Sequence, residues 1–312
     1  MAAHSDVNAA HRQRKRTHGG TTHMNIAFIG LGLMGSRMAA NIQSRLQKDL
    51  IVYNRTREKA DDLVAAGARF RETPEAAAAD ADVVITMLAS PDVVARVSSG
   101  EQGFLGTLKK GALWIDCSTV NPSFSRTMDA FARGRGIRFV DAPVAGTTTP
   151  AESGELIVLA GGSEADVAEA QPIFDAIGSK TIHVGDVGKG ASLKMVINYM
   201  LAHALAGFSE AANLGERLGI DRNLMFDTLI GGPMTAPFLS GKRENFEKRE
   251  YPVQFPLELA HKDLHLIAQT AYEAGAPMPS GASVKEVYAM ATRAGLGKED
   301  VSAVFELLAG RD

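Results

Sequence analysis

The stretch that decides the fold lies between residues 26 and 35 and reads Ile26-Ala27-Phe28-Ile29-Gly30-Leu31-Gly32-Leu33-Met34-Gly35. Its first four residues form a short apolar run of the kind that makes a buried strand. Three glycines with the spacing G-x-G-x-x-G follow at once, and a helical pattern opens after them. The stretch therefore predicts a strand, a tight turn and a helix in direct succession, which is how a βαβ unit begins.

The three glycines have separate uses in that turn. Gly30 permits the tight turn, Gly32 lets the backbone approach a pyrophosphate, and Gly35 allows close packing of helix and strand. The phosphates would lie at the N-terminus of the helix. The alternative is a plain glycine-rich turn, but the setting favours a dinucleotide site. Its candidate cofactor-binding residues are Gly30, Leu31, Gly32, Leu33, Met34 and Gly35.

The end of the second predicted strand indicates which dinucleotide is bound. An NAD site carries Asp or Glu about 20 residues further on, where it binds the ribose 2′-hydroxyl. Here the segment reads Tyr53-Asn54-Arg55-Thr56-Arg57 and contains no carboxylate. Its guanidinium and hydroxyl groups suit a 2′-phosphate. Asn54, Arg55 and Thr56 therefore predict NADP(H), the alternative being that the arginines are ordinary solvated loop charges.

Further along the chain, short apolar runs alternate with amphipathic stretches. The predicted strands are Ile26–Ile29, Leu50–Tyr53, Val83–Leu88, Leu113–Ile115, Phe139–Val140 and Leu156–Leu159. Such alternation predicts an α/β fold with a Rossmann-type doubly wound parallel sheet. We expect this NADP-binding domain to occupy residues 24–187. Met87 and Leu88, at the end of the third run, are further candidates for cofactor contact.

After Gly185 the strand signal disappears and the pattern becomes helical. One run continues from Gly190 to about Leu218, which would span ~40 Å at 1.5 Å per residue. A helix of that length joins the sheet to an all-helical C-terminal domain, expected at residues 188–312, which would hold the substrate and mediate oligomerisation. Its other predicted helices are Arg222–Ile230, Pro256–Glu273, Ser280–Ala294 and Lys298–Leu308.

Two polar residues interrupt the apolar start of the long helix. Lys194 and Asn198 are four residues apart, so their side chains share one face. Burial of an ammonium is costly and lowers its pKa toward neutrality. Lys194 could therefore protonate an alkoxide as it develops. The alternative is a lysine whose ammonium reaches solvent past an apolar helix.

Composition excludes several other classes of protein. The 33 basic and 36 acidic residues leave a net charge of −3, so no general basic field attracts nucleic acid or an anionic membrane. Because Cys117 is the only cysteine, we expect no internal disulfide, no zinc cluster and a reducing, cytoplasmic setting. His261 and His265 have metal-ligand spacing, but Lys262 between them would repel a cation, so no metal is expected.

The beginning of the chain and its longest apolar run carry no targeting or spanning signal. Residues 1–23 are polar and basic and lack the apolar region of a signal peptide, which predicts a disordered basic tail. The run from Met195 to Phe208 is interrupted by polar residues and falls short of the ~18 apolar residues that a membrane span needs. Neither a membrane nor a nucleic-acid partner is therefore expected.

Five motifs follow one another along the chain: Phe28–Gly35 with Met38–Asn41, Asp116–Val120, Asp141–Gly146, Gly188–Asn198 and Lys262–Leu264. Together they resemble the β-hydroxyacid dehydrogenases, the 3-hydroxyisobutyrate dehydrogenase family, over nearly everything after Met24. Within that family the chain is most similar to the glyoxylate and succinic semialdehyde reductases, which prefer NADPH. The stretches that carry this closer similarity are Asn54–Thr56, Pro150–Leu156, Gly232–Thr235 and Tyr251–Leu257.

The resemblance implies roles for individual residues and an oligomeric state. Lys194 would be the catalytic acid and base. Thr119 would lie near both the nicotinamide and the substrate, and Lys262 would touch the cofactor from the helical side. The residues implied to hold the substrate or close the site are Thr119, Ala145, Gly146, Thr147, Asn198, Phe255 and Asp263. The resemblance also implies a homodimer or homotetramer.

The chain departs from the family pattern at one position of the loop implied to hold the substrate carboxylate. The family usually has Ser where this chain has Ala145, and Thr147, Thr148 and Thr149 follow just beyond. A lost hydrogen bond to a charged ligand costs about 1.5–3 kcal/mol. Either a neighbouring threonine replaces the hydroxyl or the preferred substrate differs.

The sequence therefore predicts NADPH-dependent reduction of a small carboxylated aldehyde, such as glyoxylate or succinic semialdehyde, with Lys194 as the proton donor. One alternative is an NAD(P)-dependent 3-hydroxyisobutyrate dehydrogenase or another 3-hydroxyacid dehydrogenase. A second is an imine reductase, a class that shares this architecture but typically replaces the lysine. A third alternative is a non-catalytic NADP-binding scaffold.

Overall fold

A nine-stranded sheet fills the first half of the chain in the computed structural model, which describes residues 24–46 and 49–309. The predicted tail, residues 1–23, lies outside the described residues. The strands are β1 Ile26–Ile29, β2 Leu50–Tyr53, β3 Arg69–Phe70, β4 Val83–Thr86, β5 Leu113–Asp116, β6 Arg138–Asp141, β7 Val144–Ala145, β8 Leu156–Gly161 and β9 Gly178–Gly185.

The strand order is β3-β2-β1-β4-β5-β6-β8-β7, with β9 paired to β8. Strands β3 to β6 of this order run parallel, which confirms the predicted Rossmann-type sheet. The far edge adds two antiparallel pairs, because β8 runs against both β6 and β7. The carboxyl ends of β1, β4, β5 and β6 lie at one edge of the sheet, which is where ligands bind in open parallel sheets.

Helices cover both faces of the sheet and then form the rest of the chain. Those beside the sheet are α1 Gly35–Leu46, α2 Asp61–Ala65, α3 Pro74–Ala78, α4 Pro91–Ser99, α5 Pro122–Arg133, α6 Thr148–Ser153 and α7 Glu164–Ile177. Those that follow are α8 Lys189–Arg217, α9 Arg222–Leu229, α10 Arg243–Lys248, α11 Leu257–Ala274, α12 Pro279–Ala291 and α13 Val304–Ala309. Within the described residues, no helix has the length and apolarity to cross a membrane.

The long helix α8 has 29 residues and provides the spine of the helical half. Three apolar cores result, one on each face of the sheet and one around α8. The third core contains a cluster of aromatic rings, in which Phe246 packs 4.9 Å from Phe208 and 5.3 Å from Phe305. The predicted division at residues 187 and 188 stays a prediction, although β9 ends at Gly185 and α8 begins at Lys189.

The structure differs from the predicted elements in several places. The two-residue strands β3 and β7 were not predicted. Strand β9 was not predicted, because its half-exposed sequence lacks a continuous apolar run. Helix α10 was also not predicted, since it is short and mostly charged. The predicted helix Lys298–Leu308 is wrong at its start. Asp300 has extended backbone and caps a 3-10 turn at Val301–Ala303, so the α-helix begins only at α13.

A buried ion pair joins the segment before α11 to that turn. Lys242 Nζ lies 2.8 Å from Asp300 Oδ1 and donates to Gln254 Oε1 at 2.9 Å. Asp300 Oδ2 accepts the backbone N–H groups of Gln254 and Phe255, and its Oδ1 accepts the Ser302 hydroxyl. Burial disfavours the charge on Asp300, but Lys242 and the hydrogen bonds from Ser302 outweigh it and hold the pKa of the carboxyl below its usual value.

The variant Lys242→Met should destabilise the protein by about 3–5 kcal/mol, because it leaves the Asp300 carboxylate buried without its cation. Lys298→Met is the matched control, since the Lys298 side chain is 84% exposed where it pairs with Glu258. We expect that control to cost less than about 1 kcal/mol. Urea unfolding of both variants measures the difference, and equal losses would contradict the prediction.

Candidate active site

The glycine-rich turn after β1 is fastened to the end of β2. The Gly30 N–H donates to the Tyr53 carbonyl at 2.9 Å, and the Leu31 N–H donates to Asn54 Oδ1 at 2.9 Å. Asn54 Nδ2 in turn donates to the Thr56 carbonyl at 2.8 Å. The structure thus brings the two predicted halves of the cofactor site together, and the Asn54 side chain holds them in register.

The space around the glycines fits a dinucleotide. Gly30 has φ +103°, and a Cβ there would overlap the Met87 carbonyl oxygen and lie 2.8 Å from Leu88 Cδ2. A Cβ on Gly35 would overlap the Gly30 carbonyl oxygen. In contrast, a Cβ on Gly32 would meet no described atom within 4 Å. The turn is therefore closed on its protein side and open at Gly32, where the pyrophosphate of a nicotinamide cofactor would approach.

The segment after β2 presents cations and no carboxylate between Asn54 and Arg57. Arg55, Thr56 and Arg57 are exposed. The Arg57 guanidinium lies 4.7 Å from the centre of the Phe70 ring, a cation–π contact that orients it at the edge of the sheet. This arrangement can receive a phosphate on the adenosine ribose.

Side chains from α8 and α11 meet the backbone of the loop after β5. Asn198 Nδ2 donates to Asp263 Oδ2 at 2.7 Å. Lys262 Nζ donates to the Thr119 carbonyl at 2.8 Å and lies 2.8 Å from Asp263 Oδ1 without the alignment of a hydrogen bond. Lys194 is buried, and it lies close enough to Asp263 and Lys262 for their charges to act on it. The structure therefore gathers five of the predicted residues, Lys194, Asn198, Asp263, Lys262 and Thr119, into one cluster.

The electrostatics of this cluster suit proton transfer near neutral pH. Burial lowers the pKa of Lys194 from its ordinary value to about 8. The carboxylate of Asp263 opposes this shift by stabilising the ammonium, and the positive charge of Lys262 adds to it. A group whose pKa lies near 8 can donate or accept a proton close to neutral pH.

The loop predicted to hold the substrate carboxylate follows β6. Ala145, in β7, is half-buried and pairs with Ile157 of β8. Gly146 has φ +132°, and a Cβ there would lie 2.7 Å from a Leu156 methyl group. Thr147 is the N-cap residue of α6, but its hydroxyl makes no capping hydrogen bond. Thr148 is buried. Which of these threonines replaces the missing serine hydroxyl stays a prediction.

Phe255, the last of the predicted site residues, is half-buried against the helical core. Its backbone N–H donates to Asp300 Oδ2 at 3.1 Å, and its carbonyl accepts the Val301 N–H at 2.7 Å. Its contact with substrate stays a prediction. As for a metal, no group of three or more His, Cys, Asp or Glu side chains within the described residues could hold one.

Two buried carboxyl groups at the strand ends were not assigned a role from the sequence. Asp141 Oδ1 accepts the Gly188 N–H and its Oδ2 accepts the Ala191 N–H, both at 2.7 Å. Asp116, its neighbour across β5 and β6, accepts the Thr86 hydroxyl at 2.8 Å. Burial raises the pKa of Asp116 to about 6 and that of Asp141 to about 7. Both belong to motifs that the sequence showed, but their partners are distant in the chain.

Two family models match the chain. The NAD binding domain of 6-phosphogluconate dehydrogenase matches residues 25–185. The model described as NAD-binding of NADP-dependent 3-hydroxyisobutyrate dehydrogenase matches residues 188–308.

Individual proteins are similar over most of their length. The chain is 36% identical over 283 residues to glyoxylate/succinic semialdehyde reductase 1 of Arabidopsis thaliana, covering 91% of this chain and 98% of that protein. It is 37% identical over 282 residues to 3-sulfolactaldehyde reductase of Escherichia coli, covering 90% and 94%. The solved 3-hydroxyisobutyrate dehydrogenase of Mycobacterium tuberculosis with L-serine has 29% identity and a TM-score of 0.83, covering 92% of this chain and 99% of that one.

Alanine at Gly32 and at Gly35 should affect different properties. Gly32→Ala should leave the free energy of unfolding within about 0.5 kcal/mol of the original, because its methyl group meets no described atom within 4 Å. It should weaken NADPH binding by at least about tenfold. Gly35→Ala should reduce stability itself. Fluorescence titration with NADPH and urea unfolding measure the two effects, and undiminished NADPH binding by Gly32→Ala would contradict the placement of the pyrophosphate.

Proposed function

Because the chain belongs to the 3-hydroxyisobutyrate dehydrogenase family of β-hydroxyacid dehydrogenases, we propose that it reduces a small carboxylated aldehyde to the hydroxy acid with NADPH. Members of this family are nicotinamide-dependent oxidoreductases that act on CH–OH groups, and this chain is one of them. Glyoxylate and succinic semialdehyde are the proposed substrates. The observation that carries the proposal is the buried ammonium of Lys194 beside Asn198 and Asp263.

In this proposal the chain's own residues bind the substrate, orient it and protonate its carbonyl oxygen. When bound, the reduced nicotinamide supplies a hydride to the carbonyl carbon. Lys194, in its protonated form, donates a proton to the carbonyl oxygen as negative charge develops there, and in the reverse direction neutral Lys194 accepts that proton. Asn198 is kept in one orientation by its hydrogen bond to Asp263, so that it can place the substrate.

The acidic group of the substrate is proposed to lie on the loop from Pro143 to Thr147. Backbone N–H groups would carry most of the interaction, and the Thr147 hydroxyl would add the hydrogen bond that Ala145 cannot make. The two curated relatives act, by their names, on glyoxylate or succinic semialdehyde and on 3-sulfolactaldehyde. All of these are small aldehydes with an anionic group, which supports the proposed substrate class.

NADPH is the proposed cofactor rather than NADH. Arg55 and Arg57 are exposed at the end of β2, no carboxylate stands between Asn54 and Arg57 to bind a 2′-hydroxyl, and Phe70 orients Arg57. A 2′-phosphate would gain charge-assisted hydrogen bonds there. The cytoplasmic location and the homodimer or homotetramer also remain proposals.

A second candidate is oxidation of 3-hydroxyisobutyrate or another 3-hydroxyacid, favoured by the match at residues 188–308. It uses the same residues in the opposite direction, so the preferred direction and substrate decide between the two. Lys194 argues against an imine reductase, in which this lysine is typically replaced. The intact cluster of Lys194, Asn198 and Asp263 argues against a non-catalytic scaffold.

Lys194→Ala tests the proposed chemistry. We expect kcat to fall by about 10²–10⁴-fold, the usual contribution of a positioned acid, while the Kd for NADPH stays unchanged because the glycine turn is intact. In the original enzyme the rate of reduction should decline as the pH rises through about 8, since Lys194 then loses its proton. The rate of oxidation should rise over the same range.

Asp263→Asn provides the matched electrostatic control for that pH dependence. Because the Asp263 carboxylate raises the pKa of Lys194, its removal should move the alkaline decline of reduction to lower pH. Initial rates from pH 6 to 10 measure the profile. Near-normal turnover by Lys194→Ala, or a profile that Asp263→Asn leaves in place, would refute the assignment of Lys194.

The double variant Arg55→Ala/Arg57→Ala tests the cofactor proposal. The KM for NADPH should rise by about 10- to 100-fold, because charged hydrogen bonds to the 2′-phosphate are worth about 1.5–3 kcal/mol. The KM for NADH, which lacks that phosphate, should stay within about twofold. Lys59→Ala, which removes an exposed cation from the same segment, is the control for general charge. Parallel losses with both cofactors would contradict a 2′-phosphate site.

A further inference from the structure

We propose that Asp141 is a positioning residue for the reaction, which fixes Lys194 relative to the cofactor by docking the first turn of α8 on the carboxyl edge of the sheet. The inference rests on the proposed role of Lys194 and adds to it the group that determines where this lysine stands. Asp141 does not touch the reacting atoms in this account. It acts through the backbone of α8.

Asp141 holds two free backbone donors of the helix. It is the last residue of β6 and is 1% exposed. Its Oδ1 accepts the Gly188 N–H and its Oδ2 accepts the Ala191 N–H, both at 2.7 Å. The residue at the helix N-cap, Gly188, offers no side chain of its own. The cap therefore comes from the sheet, and a carboxylate at the positive end of a 29-residue helix is electrostatically favourable.

Two glycines allow close packing where Asp141 meets the start of α8, a contact that we call the joint. A Cβ on Gly161, at the end of β8, would lie 2.5 Å from Asp141 Oδ1 and 2.8 Å from the Gly190 nitrogen. A Cβ on Gly190 would lie 2.8 Å from the Asp141 carbonyl oxygen and 3.0 Å from Asp141 Oδ2. No methyl group fits on either side, so the helix has one position against the strand ends.

The joint lies one helical turn from Lys194. Lys194 follows Ala191 by three residues, about 4.5 Å along the helix axis at 1.5 Å per residue. Asp141 also begins the loop to Thr147 that is proposed to hold the substrate, and the next residue, Ala142, donates its N–H to the Asp116 carbonyl at 2.7 Å. The Asp141 carboxylate thus ties the helix start that carries the proposed proton donor to the strand end from which the proposed substrate loop begins.

The variant Asp141→Asn is the test. An amide can accept only one of the two N–H bonds and presents its own N–H₂ to the other. We expect faster hydrogen exchange in the peptide that covers Gly188 to Met195, with no change in the peptide that covers β1 and the start of α1. We expect kcat to fall by about 10- to 100-fold, because a displacement of about 1 Å can cost ~10²-fold in rate. The Kd for NADPH should stay within about twofold.

Asp166→Asn is the matched control. Asp166 is also a buried carboxylate at the start of a helix, α7, where it bonds to Ser163 and Arg138 away from the cluster around Lys194. It should match Asp141→Asn in loss of stability but keep normal turnover. A purely structural role for Asp141 would lower kcat no more than the control does, or would weaken NADPH binding in parallel, and either result overturns the proposal.

A second variant keeps the test decisive if Asp141→Asn does not fold. Gly161→Ala leaves the carboxylate in place and presses a methyl group into the same joint, so it should accelerate exchange at Gly188 to Met195 and lower kcat in the same direction. Unchanged exchange in both variants, or in Gly161→Ala alone where only that protein folds, refutes the docking role. The exchange measurement needs no substrate, so it remains informative if the original enzyme reduces none of the proposed aldehydes and the proposed function fails.

Discussion

The close approach of α8 to the carboxyl edge of the sheet is the constraint on which the rest of the site depends. Gly190 and Gly161 leave no room for a side chain between helix and strand, and Asp141 satisfies the N–H groups that the helix start leaves free. A helix held at that point carries Lys194 over the crevice and then continues as the spine of the helical half. The residue proposed to transfer the proton therefore lies on a helix whose first turn is docked on the sheet.

The buried charged side chains near this edge of the sheet have neighbours of opposite charge. Lys194 lies beside Asp263, and Lys262 lies between Asp263 and the Thr119 carbonyl. Farther away, Lys242 and Asp300 form a buried pair that also bonds to the side chain and backbone of Gln254, just before α11. Because an isolated buried charge costs several kcal/mol, each pair favours one arrangement of the elements that carry it. The same desolvation gives Lys194 a pKa suited to proton transfer.

Local patterns in the sequence predicted the elements whose signals are local. The turn from Ile29 to Gly35 and the long helix α8 each depend on residues that are consecutive in the chain. Glycine spacing and apolar runs were therefore sufficient to predict them. Strand β9 and the partners of Asp141 and Asp300 depend on contacts between residues far apart in the chain, which no local pattern reports. The cluster of Lys194, Asn198 and Asp263 was predicted in part. The resemblance named its members, but only the structure showed their contacts.

The most direct measurement of the central claim is the rate of NADPH oxidation, with NADH in parallel, against glyoxylate, succinic semialdehyde and a cyclic imine. The account predicts fast turnover of at least one carboxylated aldehyde, a preference for NADPH and little reduction of the imine. Reduction of the imine alone, or of no carbonyl compound offered, would contradict the account of Lys194 as the proton donor to a carboxylated aldehyde. The fold and the nicotinamide site would stand in either case.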